Sequence, residues 1–109
     1  MHINIISWEQ LQQYLGREDC LIIDLRDKGE YEEGHLPGAL WWDWERLEEE
    51  IADILLAQHR NIETIILYCD RGNISLIAAR DLARHGYRTA SLGGGYERCG
   101  FRLPVERSQ

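Results

Sequence analysis

Long apolar runs, paired cysteine motifs and surplus cations are what this chain of 109 residues lacks. No stretch approaches the ~20 consecutive apolar residues needed to cross a bilayer, and Met1-His2-Ile3-Asn4 offers no basic leader. Neither a signal peptide nor a membrane anchor is therefore expected. The three cysteines, Cys20, Cys69 and Cys99, are far apart and form no CxxC pair. That pattern excludes a disulfide framework and a thiolate zinc site, and it suits a reducing cytoplasm. Lys and Arg number 12 against 19 Asp and Glu, a formal charge of −7. Such a balance argues against nucleic acid or an anionic membrane as the partner. Repeats, linkers and low-complexity segments are also missing, so residues 1–109 read as one domain.

What is present is an alternation of short apolar strands and amphipathic helices. Ile3 to Ile6 is a weak strand candidate. Ser7 and Gln10 stand three apart as a capping box, ahead of a helical stripe of Trp8, Leu11 and Leu15 that Gly16 ends. Leu21 to Leu25 reads as a buried strand, and Ala39 to Trp42 as a shorter one. Asp43 can cap a helix running to Leu56, with Trp44, Leu47, Ile51, Ile54 and Leu55 at helical spacing. Thr64 to Leu67 is a β-branched, apolar run that suits a strand covered on both faces. Leu76, Ala79 and Ala83 then form a helical stripe that stops at Gly86, and Tyr87 to Leu92 is the last strand. This order predicts an α/β domain with a mostly parallel sheet.

The chemistry centres on Cys69. A free cysteine often behaves as a small buried hydrophobe. Cys69, however, lies where a buried strand gives way to a helix N-terminus, the place where open α/β sheets put their ligands and where amide N–H groups favour an anion. Gly72 and Asn73 tolerate positive φ and can curl consecutive amides into an anion-binding concavity. Cys69 is thus a candidate nucleophile. Asp24 and Arg26, at the end of the preceding buried strand, read as a structural ion pair near the site mouth, because a buried carboxylate needs a partner. Arg26 and Glu30 also fall at helical pairing distance. His35, between Gly34 and Pro37-Gly38, reads as a turn residue rather than a base.

Cys69-Asp70-Arg71-Gly72-Asn73-Ile74-Ser75, followed by Ala78-Ala79, resembles the active-site loop and helix of single-domain rhodaneses. Asp24-Leu25-Arg26, Glu30-Tyr31 and Gly34-His35-Leu36-Pro37-Gly38-Ala39 are similar to the family's upstream signature. Leu92, Gly94-Gly95 and Leu103-Pro104-Val105 are similar to its closing one. The resemblance implies a three-layer rhodanese-like fold with five strands and helices on both faces. It also implies sulfurtransfer through a Cys69 persulfide, with Asp70, Arg71, Gly72, Asn73, Ile74 and Ser75 around the sulfur and no metal or organic cofactor. The expected partners are a small sulfur donor or a protein persulfide.

Three departures stand against the family pattern. Its loop commonly carries Arg directly after the cysteine and again five positions on, where this chain has Asp70 and Ile74; Cys99 stands where the family has Trp. Asp70 disfavours an anionic donor, and Arg71 is the one cation of the loop. A catalytically weak binding or regulatory module is therefore the second reading. A phosphatase of the cell-cycle type that shares this fold is the third, but Ser75 occupies the place of its phosphate-binding Arg. The acidic, Trp-rich stretch from Trp41 to Glu50 suggests in addition a docking patch for a basic protein.

Overall fold

The computed structural model describes residues 4–99. They fold into a five-stranded, wholly parallel sheet flanked by helices. In chain order the elements are β1 (Asn4–Ile6), α1 (Trp8–Gln12), β2 (Cys20–Asp24), α2 (Lys28–Glu33), β3 (Leu40–Trp41), α3 (Trp44–Ala57), β4 (Thr64–Tyr68), α4 (Asn73–Arg84), β5 (Thr89–Leu92) and α5 (Gly95–Cys99). The strand order is β1-β5-β4-β2-β3, with Ile22 beside Ile66 and Ile66 beside Ala90 in the central ladders. Met1 to Ile3 and the expected closing signature at Leu103-Pro104-Val105 lie outside the described residues.

Period-two alternation divides the core into two halves. Leu21, Ile23, Leu25, Ile65 and Leu67 face α3 and α4 on one side, against Leu47, Ile51, Ile54 and Leu82. Ile22, Ile66 and Tyr68 face the other side, against Leu11, Leu36 and Leu92. Central strands apolar on both faces are what a parallel sheet covered by helices requires. Truncating a fully buried Ile23 or Leu67 to Ala would cost about 2–5 kcal/mol.

The topology also fixes where a site can form. After β2 the chain leaves for β3 on one side, and after β4 it leaves for β5 on the other. The loops at the carboxyl ends of β2 and β4 therefore diverge and open a crevice, the usual ligand position in such sheets.

Several local expectations are modified. The Ser7–Gln10 capping box is present, but α1 ends at Gln12, and the chain reaches Gly16 through Tyr14 N–H→Leu11 O and Leu15 N–H→Gln12 O bonds. These i→i−3 bonds tighten the last turn, and Leu15 still packs on the core. Asp43 caps α3 through the Glu45 N–H at 3.0 Å. Trp44, expected on the apolar stripe, is instead 44% exposed, because burial on α3 begins one turn later at Leu47. Trp41 and Trp42 are absorbed: their indole N–H groups donate to Arg26 O at 2.7 Å and to a Glu50 carboxylate oxygen at 3.0 Å.

Candidate active site

Cys69 follows β4 directly, and its sulfur lies where an N-cap side chain would stand for α4. Gly72 is the N-cap residue, with φ 100° and no side chain to accept a hydrogen bond. The Cys69 Sγ accepts instead, from the Gly72 N–H at 3.2 Å and the Ser75 N–H at 3.4 Å. Two backbone dipoles and the positive end of a helix of 12 residues thus converge on one sulfur. Within the loop from Cys69 to Ser75 positive φ occurs at Gly72; Asn73, expected to share it, opens the helix in ordinary geometry.

Ser75 does more than its loop position suggests. Its hydroxyl lies 3.6 Å from Sγ, 3.4 Å from Gly72 O and 2.7 Å from the Ser91 hydroxyl on β5. Both serines are buried, so a pair of linked hydroxyls stands beside the sulfur, away from solvent. Ser91 was not legible as a site residue; it reads as an ordinary position in the last strand.

The glycine triplet locks the loop from behind. The Tyr96 N–H donates to Cys69 O at 2.8 Å and the Glu97 N–H to Asp70 O at 3.0 Å. A Cβ on Gly95 would stand 2.6 Å from Cys69 O, and the backbone there has φ +67°. Only glycine lets α5 approach the loop this closely.

Cys69 lines a cavity of about 700 Å³ between the β2 and β4 loops, walled also by Leu25, Trp44, Ile74 and Tyr96. The polar lining holds four carboxylates, Asp27, Glu30, Asp70 and Glu97, against the guanidiniums of Arg26 and Arg71. Neither cation is unengaged. Arg26 forks onto Asp24, with Nη2 to Oδ2 at 2.8 Å, donates to Gly34 O and stacks 3.8 Å from the Tyr96 ring. Arg71 pairs with Glu97 at 3.1 Å. The expected Asp24–Arg26 pair is therefore present and buried, and its companion expectation is corrected: Arg26 turns to Asp24 instead of Glu30. Glu30 faces Asp70, and burial together with that neighbouring carboxyl pushes the Glu30 carboxyl above its usual range. The signal for Glu97 was available, since the Gly93-Gly94-Gly95 turn had to bring the following residues against the loop.

Other candidates fall outside the site. His35 is buried, with Nδ1 2.7 Å from Tyr31 O and its ring stacked on Tyr31. Cys20 is buried in the opposite core half, and burial pushes its thiol up to about 11. Among the described residues, no group of three or more His, Cys, Asp or Glu side chains could hold a metal ion, and no helix is long and apolar enough to cross a membrane.

The profile of the rhodanese-like domain matches residues 7–99. A tRNA sulfurtransferase of Desulfurococcus amylolyticus is 33% identical over 94 residues, 84% of this chain. The match takes in only 17% of that longer protein. A thiosulfate sulfurtransferase from Pseudomonas aeruginosa superposes with a TM-score of 0.80 at 20% identity, covering 98% of this chain and 20% of that one. A rhodanese-related protein from Thermoplasma volcanium does so with 0.76 at 19%, covering 94% and 97% of the two chains. At these identities the superpositions speak for the fold, while the profile and the curated relative speak for descent: the chain belongs to the rhodanese-like family, a family of sulfurtransferase type.

Proposed function

We propose that this protein is a sulfurtransferase that carries sulfane sulfur on Cys69. The observation behind the proposal is that Cys69 lines the cavity while its Sγ receives the Gly72 and Ser75 amides. In the first step the Cys69 thiolate attacks the outer sulfur of a donor persulfide, R–S–SH. The donor's S–S bond breaks, its electron pair leaves on R–S⁻, and Cys69 becomes Cys–S–SH. In the second step an acceptor nucleophile takes the outer sulfur, and Cys69 leaves as the thiolate. This is covalent catalysis by an activated thiol, and the amides that receive the thiolate also receive it as leaving group. The step needs no general base, consistent with an imidazole at position 35 that serves the turn.

The rim chooses the donor. Asp70 stands where the family has a cation, Arg71 is paired with Glu97 at the surface, and Glu30 adds a second carboxylate beside Asp70. A dianion such as thiosulfate meets repulsion there, so a low-charge donor or a protein persulfide fits better. The same rim disfavours phosphate esters. It keeps one other reading in view, a binding module that has lost turnover. Transfer to cyanide from an uncharged persulfide and from thiosulfate, with Cys69→Ser as control, separates these. The uncharged donor should turn over faster and Cys69→Ser should not turn over at all. If neither donor turns over, the binding-module reading prevails. Hydrolysis of a phosphate ester dependent on Cys69 would favour the phosphatase reading.

A further inference from the structure

The thiol cavity does not end at its rim. Trp44 is shared with a second, smaller cavity of about 190 Å³ between α3 and α4, lined also by Leu47, Ile77 and Leu82. Four large hydrophobic side chains stand exposed among the described residues, and Trp44 and Ile77, each 44% exposed, are two of them on this one groove. Isolated exposed apolar residues need no explanation, whereas a pair flanking a groove that runs into a reactive cavity does. The groove's polar lining is acidic: Glu45, Glu48 and Asp81, with no cation. Its nearest basic neighbours are peripheral, with Arg80 and Arg84 3.7 and 3.8 Å from Asp81 and His85 3.3 Å from Glu48. Arg80 and Arg84 together offset Asp81, so the acidic side of the groove is carried by Glu45 and Glu48, with the His85 imidazole beside Glu48. The carboxylates Asp27, Glu30 and Asp70 continue it around the thiol.

We propose that the groove between α3 and α4 is the docking track for a basic protein segment that delivers a cysteine persulfide to Cys69. The proposal rests on the sulfurtransferase reading and names its donor. Trp44 and Ile77 would take aliphatic or aromatic side chains, and the carboxylates would take flanking Lys and Arg. Trp44, at the junction, would turn the segment into the thiol cavity. The segment's persulfide then gives its outer sulfur to Cys69 and leaves as a thiolate, as written above. Opposite charge would steer the encounter, and like charge would reject acidic carriers. A second copy of this chain is the poorer occupant, because each copy carries −7. A nucleic acid would meet the same repulsion.

The test uses two synthetic peptides of equal length with one cysteine each, flanked by Lys and Arg in one and by Asp and Glu in the other. Binding of the unmodified peptides to Cys69→Ser is read by calorimetry, and sulfur loading of the native protein from their persulfides is read by mass spectrometry. The basic peptide should bind and load at least about tenfold better than its acidic twin, and the advantage should shrink with salt. Glu48→Gln combined with Asp81→Asn should weaken basic-peptide binding about threefold or more, leaving loading from an uncharged small persulfide unchanged. Equal binding of both peptides, or indifference to the two substitutions, overturns the docking track. So does a dimer whose formation those substitutions abolish. If the basic peptide binds in the groove but no donor loads Cys69, the docking track stands and the sulfurtransferase reading falls.

Discussion

Ser75 and Ser91 offer the sharpest energetic test of how the sulfur is held. Their hydroxyls lie 2.7 Å apart, and both residues are almost wholly buried, at 0% and 1% exposure. Ser91→Ala removes one partner but leaves the Ser75 hydroxyl Gly72 O at 3.4 Å and Sγ at 3.6 Å. Ser75→Ala is worse, because it strands the Ser91 hydroxyl and takes a polar contact from the sulfur. An orphaned buried hydroxyl costs about 1–3 kcal/mol, so Ser75→Ala should fall in that range and Ser91→Ala near about 1 kcal/mol. The double variant strands nothing and should cost less than the sum, with a coupling of about 1 kcal/mol. For a chain of this size 1 kcal/mol moves Tm by about 4–8 °C, well within reach of thermal or urea unfolding. Sulfur loading should follow a different order: Ser75→Ala and the double variant slowed alike, Ser91→Ala less. Strict additivity of the two stability losses would refute the link.

Three further outcomes follow from the same geometry. Gly95→Ala places a methyl 2.6 Å from Cys69 O at φ +67°, so it should destabilise by about 2 kcal/mol or more and abolish loading, as read by unfolding and mass spectrometry. Glu30 has its carboxyl held above the usual value of 4.5 by burial and by Asp70. The folded state therefore binds that proton more tightly than the unfolded chain, and stability is lost as pH rises through and above that value. Glu30→Gln should thus stabilise near neutrality and make no difference in acid; a benefit confined to low pH would contradict the assignment. Asp70→Arg and Ile74→Arg should each raise kcat/KM for thiosulfate, because one charge at about 6 Å in a dielectric of about 20 is worth roughly 3 kcal/mol before solvent screening. Unchanged steady-state kinetics at low salt would show that rim charge does not select the donor.

The fold was legible because its signals are redundant. Leu21 to Leu25 and Thr64 to Leu67 are apolar on both faces, as central parallel strands must be, and the capping residues Ser7 and Asp43 mark helix starts that the structure reproduces. The sulfur's setting was legible because a strand end, Gly72 and a following helix are consecutive in the chain. What escaped depends on contacts between distant residues. Nothing near Ser91 says that β5 will set it against Ser75, 16 residues away. Helical spacing assigned Trp44 to the core, but its place at the first turn of α3 leaves it over the cavity mouth. Arg26 lay within sequence reach of both Asp24 and Glu30; the expected pair with Asp24 formed, because a buried carboxylate has the stronger claim on a guanidinium.

The central claim is that Cys69, and no other thiol of the chain, accepts sulfane sulfur. It is tested most directly by incubating the native protein with an uncharged persulfide donor and locating the added sulfur by peptide mass spectrometry. Cys20, buried and with its thiol pushed up to about 11, serves as an internal control, and Cys99→Ser removes the third thiol. The account predicts one cyanide-labile sulfur on the Cys69 peptide, absent from Cys69→Ser and retained in Cys99→Ser. Labile sulfur that survives in Cys69→Ser and disappears in Cys20→Ser or Cys99→Ser would contradict it.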